Sequence, residues 1–212
     1  MKRQISILCT DPQHPVNAWL ERWVDQHRDG ADTAIHRDYR QLTGGDFLFL
    51  VSCHQIIKKP VRDLFRRTLV LHASALPMGR GMSPHVWQIL EGRRDITLTL
   101  LNAEDGLDSG DIWNQITFPV APTALYDEIH TALFDAEVAM MSWAIENCDR
   151  VQPCKQSGPS SFYRKRTPDD SRIDPDKTIT DQFDLLRVVD PARYPAYFEL
   201  HGQKYIIQIT KA

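Results

Sequence analysis

The chain lacks most features that reveal a function at first sight. None of its 212 residues belongs to an apolar run near the ~20 needed to cross a bilayer, so no membrane segment is expected. It lacks charge excess: a net charge of −3 creates no global field for nucleic acid or an anionic membrane surface. Its four cysteines, Cys9, Cys53, Cys148 and Cys154, form no Cys-x-x-Cys pair and no metal-ligand spacing. Reduced packing thiols are expected, and no metal. "MKRQISILCTD" starts like a signal peptide, but its apolar run is short and meets Asp11. It reads as a first strand, and the expected location is the cytoplasm. There is no internal repeat.

What is present is an alternation of short apolar runs with helical patterns. "ISILC" (5–9), "TAIHRDY" (33–39), "DFLFLVSC" (46–53), "TLVLHAS" (68–74) and "DITLTLL" (95–101) read as strands. "DIWNQITFPV" (111–120) reads as the hairpin partner of the last of these. Between them, Val16, Trp19, Leu20, Trp23 and Val24 recur at helical spacing up to Gly30. "PVRDLFRR" with Pro60 at its start, and "SPHVWQILEG" closed by Gly92, predict short helices. A longer stripe through Leu125, Ile129, Ala132, Ala136, Met140 and Trp143 predicts a helix to about Cys148. The pattern implies an α/β fold, a Rossmann-like, mostly parallel sheet with helices on both faces. Residues 1–150 make its core. Residues 151–212 add a polar loop, a helix opened by Thr178 with Ile179, Phe183 and Leu186 on one face, and a hairpin turning at His201-Gly202. The hairpin and the long helix offer surfaces for a homodimer.

In an open parallel sheet, ligands sit beyond the carboxyl ends of the strands. There "LVLHASALPMGRG" ends a strand in His72, and "NAEDGLDSGD" carries Asp108 after another. An imidazole near a carboxylate suits proton transfer. The residues of "SCHQII" would line the same crevice. Singly, each feature has a plain explanation: a capped strand end, a polar turn, a flexible Gly-Arg-Gly loop.

Together, "LHASALPMGRGMSPHVWQILEG" and "ITLTLLNAEDGLDSGDIW" resemble the formyltransferase-fold family, whose members use N10-formyltetrahydrofolate. His72, Ser74, Leu76, Pro77, Gly81, Asp108 and Gly110 follow the family pattern in order, over roughly residues 45–209. One position departs: the family's Asn, two residues before the His, is Val70 here, which donates no hydrogen bond. Ser74, His54 and Gln55 are possible substitutes. The resemblance is nearest to short bacterial sugar N-formyltransferases of the pseudaminic-acid type, which modify lipopolysaccharide or flagellin glycans.

The resemblance implies a catalytic His72–Asp108 pair with Ser74 beside it. It implies a pterin held by His54, Gln55, Ile56 and Ile57 on one loop and by Ala103, Glu104 and Asp105 on another. Met78, Arg80, Gly81 and Ser83 would face the acceptor, and "FYRKR" (162–166) could hold a pyrophosphate and stack a base. Asp11 and His14 are weaker candidates. The implied acceptor is a nucleotide-linked amino sugar, with no nucleic acid, no membrane and no metal involved. A catalytically weak folate- or nucleotide-binding relative, or a formyl-tetrahydrofolate hydrolase, is the alternative.

Overall fold

A computed structural model describes residues 2–212. In chain order its elements are β1 (Arg3–Leu8), α1 (Asn17–His27), β2 (Ala31–His36), β3 (Gly45–Leu50), α2 (Lys59–Arg62), β4 (Phe65–His72), β5 (Arg80–Gly81), α3 (Pro84–Leu90), β6 (Asp95–Asn102), β7 (Ile112–Pro119), α4 (Tyr126–Asn147), β8 (Phe162–Tyr163), α5 (Phe183–Val188), β9 (Ala196–Leu200) and β10 (Gln203–Ile207). Six strands form one sheet in the order β2-β1-β3-β4-β6-β7. β2, β1, β3 and β4 run parallel, while β6 and β7 are antiparallel to their neighbours. The parallel half follows from crossovers between β1 and β4. The antiparallel half follows from the β6–β7 hairpin. Among the described residues, no helix is long and apolar enough to cross a membrane.

Side chains alternate across a strand, and here the alternation divides two unequal faces. Ile5, Ile7, Phe47, Phe49, Leu69, Leu71, Leu98 and Leu100 point into a large core with Val16, Leu20 and Trp23 of α1, Val86 and Ile89 of α3, and Phe134 and Met140 of α4. Leu8, Leu48 and Leu50 point the other way, into a small cluster with Leu42, Ile57 and Phe65, against which Val70, Cys53, Val61 and Ala103 pack. Helices thus cover both faces, but the second carries only the four residues of α2 and surrounding loops.

Several elements differ from the expectation. The helix expected over "PVRDLFRR" stops at Arg62, because Phe65–Arg67 already pair with Gly45–Phe47 of β3. β3 ends at Leu50, short of Cys53. Ile179 is exposed rather than on a buried helix face: Thr180–Gln182 form a 3-10 turn, and α5 starts only at Phe183. The 152–176 stretch is ordered by pairing, since Phe162 and Tyr163 run parallel to Arg80 and Gly81. The C-terminal hairpin turns at His201-Gly202, both at positive φ. Its base joins Ile173, Leu186, Val189 and Ala196 in a third apolar cluster.

Candidate active site

β4 delivers His72 to the carboxyl edge of the parallel strands, on the thinly covered face that Thr68 and Val70 share by alternation. The ring is 7% exposed. Its Nδ1 faces Oδ1 of Asp108 at 3.6 Å, and its Nε2 lies 2.8 Å from the Gly79 carbonyl oxygen. Both neighbours are acceptors. A neutral imidazole donates to only one of them, whereas an imidazolium donates to both.

Asp108 is fixed on every side. Its residue has φ of 48°. Its Oδ2 accepts the Gly81 N–H at 2.9 Å, and its carbonyl accepts Gln156 Nε2 at 2.8 Å. The loop carrying it is packed against β6 so closely that a Cβ on Gly110 would sit 1.9 Å from the Asn102 carbonyl oxygen. Ser74 is almost fully buried, and its Oγ has no hydrogen-bond partner. A Cβ on Gly79 would approach the Ser74 Oγ to 3.3 Å, so hydroxyl and imidazole flank the same glycine. Val70 is half-buried in the small apolar cluster with Ile57, Cys53 and Ala103. No side-chain donor stands at that position.

The other expected residues fall into two groups. Gly81 belongs to the site through its N–H to Asp108, and Arg80 lies beside it, donating to Gln156 Oε1 at 2.6 Å rather than facing outward. Met78 is exposed on the same loop, and Ser83 caps α3 at positive φ without using its hydroxyl. Across the cleft, His54 is exposed and donates its N–H to Thr10 Oγ1. Gln55 is spent on the Tyr39 N–H and on Asp38, which removes it as a substitute for the missing amide. Ile56 is exposed at 69%, whereas Ile57 is buried in the small core and leaves only its backbone toward the cleft. Ala103 ties its N–H to the Thr68 carbonyl; Glu104 and Asp105 are exposed. Cys53, Val61, Val70 and Ala103 are half-buried and pack against the small apolar cluster beneath these loops.

The "FYRKR" cluster is not a free cationic patch. Arg164 pairs with Asp170 and lies over the Trp87 ring, and Arg166 donates to the Asp170 carbonyl. The pairing holds the Asp170 carboxyl well below the usual range. Asp11 pairs with Arg193 at 2.7 Å. His14 packs edge-on to Phe134, and burial lowers its pKa to about 4. Among the described residues, no group of three or more His, Cys, Asp or Glu side chains is arranged to hold a metal ion.

Sequence reasoning missed two residues that hold the loops around the His72–Asp108 pair. Gln156 bridges the Asp108 and Gly110 carbonyls and Arg80 in one amide. Ser161 accepts the Gly79 N–H at 2.9 Å. Both lie on the long polar loop, whose length was the only signal. That loop clamps the Met78–Met82 segment over the His72–Asp108 pair.

The formyl transferase family model matches residues 9–145. The methionyl-tRNA formyltransferase of Protochlamydia amoebophila is 27% identical over 173 residues, 78% of this chain and 54% of that protein. The chain thus spans about half the length of the curated relatives it matches. Among solved structures, the methionyl-tRNA formyltransferase from Clostridium thermocellum superposes with a TM-score of 0.84 at 21% identity, covering 99% of this chain and 93% of that one. HypX from Aquifex aeolicus, in complex with tetrahydrofolic acid, gives 0.82 at 21%, covering 99% and 38%. A sugar N-formyltransferase from Shewanella sp. FDAARGOS_354 gives 0.75 at 15%, covering 99% and 98%. At such identities the superpositions show the fold, and the family rests on the sequence match over most of the chain. The chain belongs to the formyl transferase family.

Proposed function

We propose that this protein transfers a formyl group from N10-formyltetrahydrofolate to the primary amine of a nucleotide-linked amino sugar, within cell-surface glycan biosynthesis. The observation that carries the reading is the buried His72–Asp108 pair, clamped at the carboxyl end of β4 on the face that holds the small apolar cluster. Bound between the loops at 54–57 and 103–105, the folate would supply the formyl group on N10. The acceptor amine attacks the formyl carbon, the carbon–N10 bond breaks, and the amine sheds a proton as N10 gains one. His72, released from the Gly79 carbonyl, places an N–H where negative charge develops on the formyl oxygen. Asp108 orients the ring and balances its charge. The unpartnered Ser74 hydroxyl is the available second donor in place of the amide that Val70 lacks.

The names of the curated relatives favour a second acceptor, methionyl-tRNA. Its phosphates would call for unpaired cations. A basic groove lined by Lys59, Arg62, Arg66 and Arg67 spends three of these on Asp63, Asp105 and Asp149, which supports the sugar. The test is incubation with N10-formyltetrahydrofolate and, separately, a panel of nucleotide-linked 4-amino sugars, methionyl-tRNA, or no acceptor, read by mass spectrometry. A formylated sugar is expected. Formyl-methionyl-tRNA would replace the acceptor, formate without acceptor would make the protein a hydrolase, and binding without turnover would make it a sensor.

A further inference from the structure

One side chain spans the two loops assigned to the folate. Arg62, the last residue of α2, donates from Nη1 to the Ile57 carbonyl oxygen at 2.6 Å and to Asp105 Oδ1 at 2.9 Å. Its side chain is only 12% exposed. The backbone beneath is held independently: the Arg62 N–H bonds the Lys58 carbonyl, and its own carbonyl accepts the Thr68 hydroxyl. The guanidinium is therefore not what keeps α2 folded. It bridges two acceptors, a carbonyl on one loop and a carboxylate on the other.

That acceptor pair suits a planar N–C(N)–N group with N–H donors. A guanidinium is one such group. The amino-substituted pyrimidine edge of a pterin is another, with its exocyclic amine on the carbon between two ring nitrogens. Each carries a planar –NH2 whose two N–H groups can bridge the two acceptors, as Nη1 of Arg62 does. We propose that Arg62 is a resident occupant of the subsite for the pterin edge, and that a folate takes the Ile57 carbonyl and Asp105 from it. The inference rests on the folate reading above and adds to it a residue that sets the apparent affinity for the co-substrate.

The displaced side chain has somewhere to go. A groove of about 430 Å³ opens beside it, lined among others by Asp63 and Glu104, either of which can accept the guanidinium. The contact being exchanged is also a weak one on its exposed side, since Asp105 is 69% exposed and solvent screens the pair. A subsite self-occupied nine-tenths of the time binds its ligand about tenfold more weakly than the open subsite would.

The full chain is titrated with tetrahydrofolate, the unreactive product, in three forms: wild type, Arg62→Ala and Arg62→Lys. Arg62→Ala is expected to bind roughly 5- to 10-fold more tightly. Arg62→Lys keeps the charge and an aliphatic stem but loses the planar amine that bridges both acceptors, and is expected to bind more tightly than wild type by a smaller factor. A merely structural Arg62 would move affinity the other way. Equal or weaker binding by both variants, with wild type still binding, overturns the proposal and leaves the folate reading standing. No binding by any form overturns both.

Discussion

On one face of the sheet, Phe47, Phe49, Leu69 and Leu71 lie beneath α1, α3 and α4 in a single large core. On the other, Leu48, Leu50 and Val70 lie beneath one turn of helix and a set of loops. Most buried apolar side chains lie on the first face, and the proposed chemistry lies on the second. The thin face carries polar groups held by contacts that a ligand could replace: His72 by the Gly79 carbonyl, Ile57 and Asp105 by Arg62. The thick face holds no such stand-ins. Substitutions on the two faces should therefore separate folding from turnover.

The largest expected effect is on the thick face. Trp23 is 2% exposed, donates from its indole to Ser142 Oγ at 2.9 Å and stacks on His27. Trp23→Ala should cost about 3–5 kcal/mol in urea unfolding. Well below its melting temperature, kcat should stay within about twofold. A loss of kcat without a loss of stability would erase the division between the faces.

His72→Asn is the converse. It removes the group facing the reacting carbonyl while keeping a polar side chain in a small site. Turnover should fall about 10²–10³-fold, the usual worth of one oxyanion donor, with a melting temperature close to wild type. Near-native turnover would remove His72 from the chemistry.

Gly81→Ala tests the clamp between the faces. Gly81 has φ of 104°, and an added Cβ would sit 2.2 Å from the Tyr163 carbonyl oxygen. The β5–β8 pairing must open, taking the N–H that holds Asp108 with it. About 1–3 kcal/mol of stability and at least tenfold in kcat should be lost together, measured by melting and by initial rates. An unchanged rate would show that the polar loop is not part of the site.

The sequence announced the two faces unequally. Alternating runs such as "DITLTLL" and the stripe from Ile129 to Met140 specify the thick face, because burial repeats with the period of the element. His72 was legible at the end of β4, whereas Asp108 lies on the loop well past the end of β6, which runs antiparallel to β4, so its strand-end placement did not hold. Arg62, Gln156 and Ser161 were not legible, because each acts through a partner far along the chain: Arg62 on Asp105, Gln156 on Asp108, Ser161 on Gly79. Nothing local marks such a residue. Ile56 and Ile57 show the same limit, as neighbours of one type with opposite fates, one exposed and one core.

The smallest expected effect is a pH profile that belongs to the thick face alone. Glu137 projects from α4 into the core; its Oε2 lacks a partner, and burial raises its pKa to about 8. The folded carboxyl thus keeps its proton where the unfolded chain loses it, so stability falls as pH rises from about 4.5 to about 8. His14, His85 and His130 have the opposite sign. Burial lowers their folded pKa values, to about 4 for His14. The unfolded chain binds protons there that the folded one does not, and stability rises with pH up to about 6.5. Around neutral pH the two contributions oppose each other, because the unfolded imidazoles still bind protons there, and the fall from Glu137 dominates only from about pH 7.5 upward. Glu137→Gln should flatten that limb in denaturant melts, leave the acid limb in place, and leave the kcat profile unaltered, since Glu137 lies across the sheet from His72. A kcat profile that shifts with Glu137 would mean the two faces are coupled through the sheet.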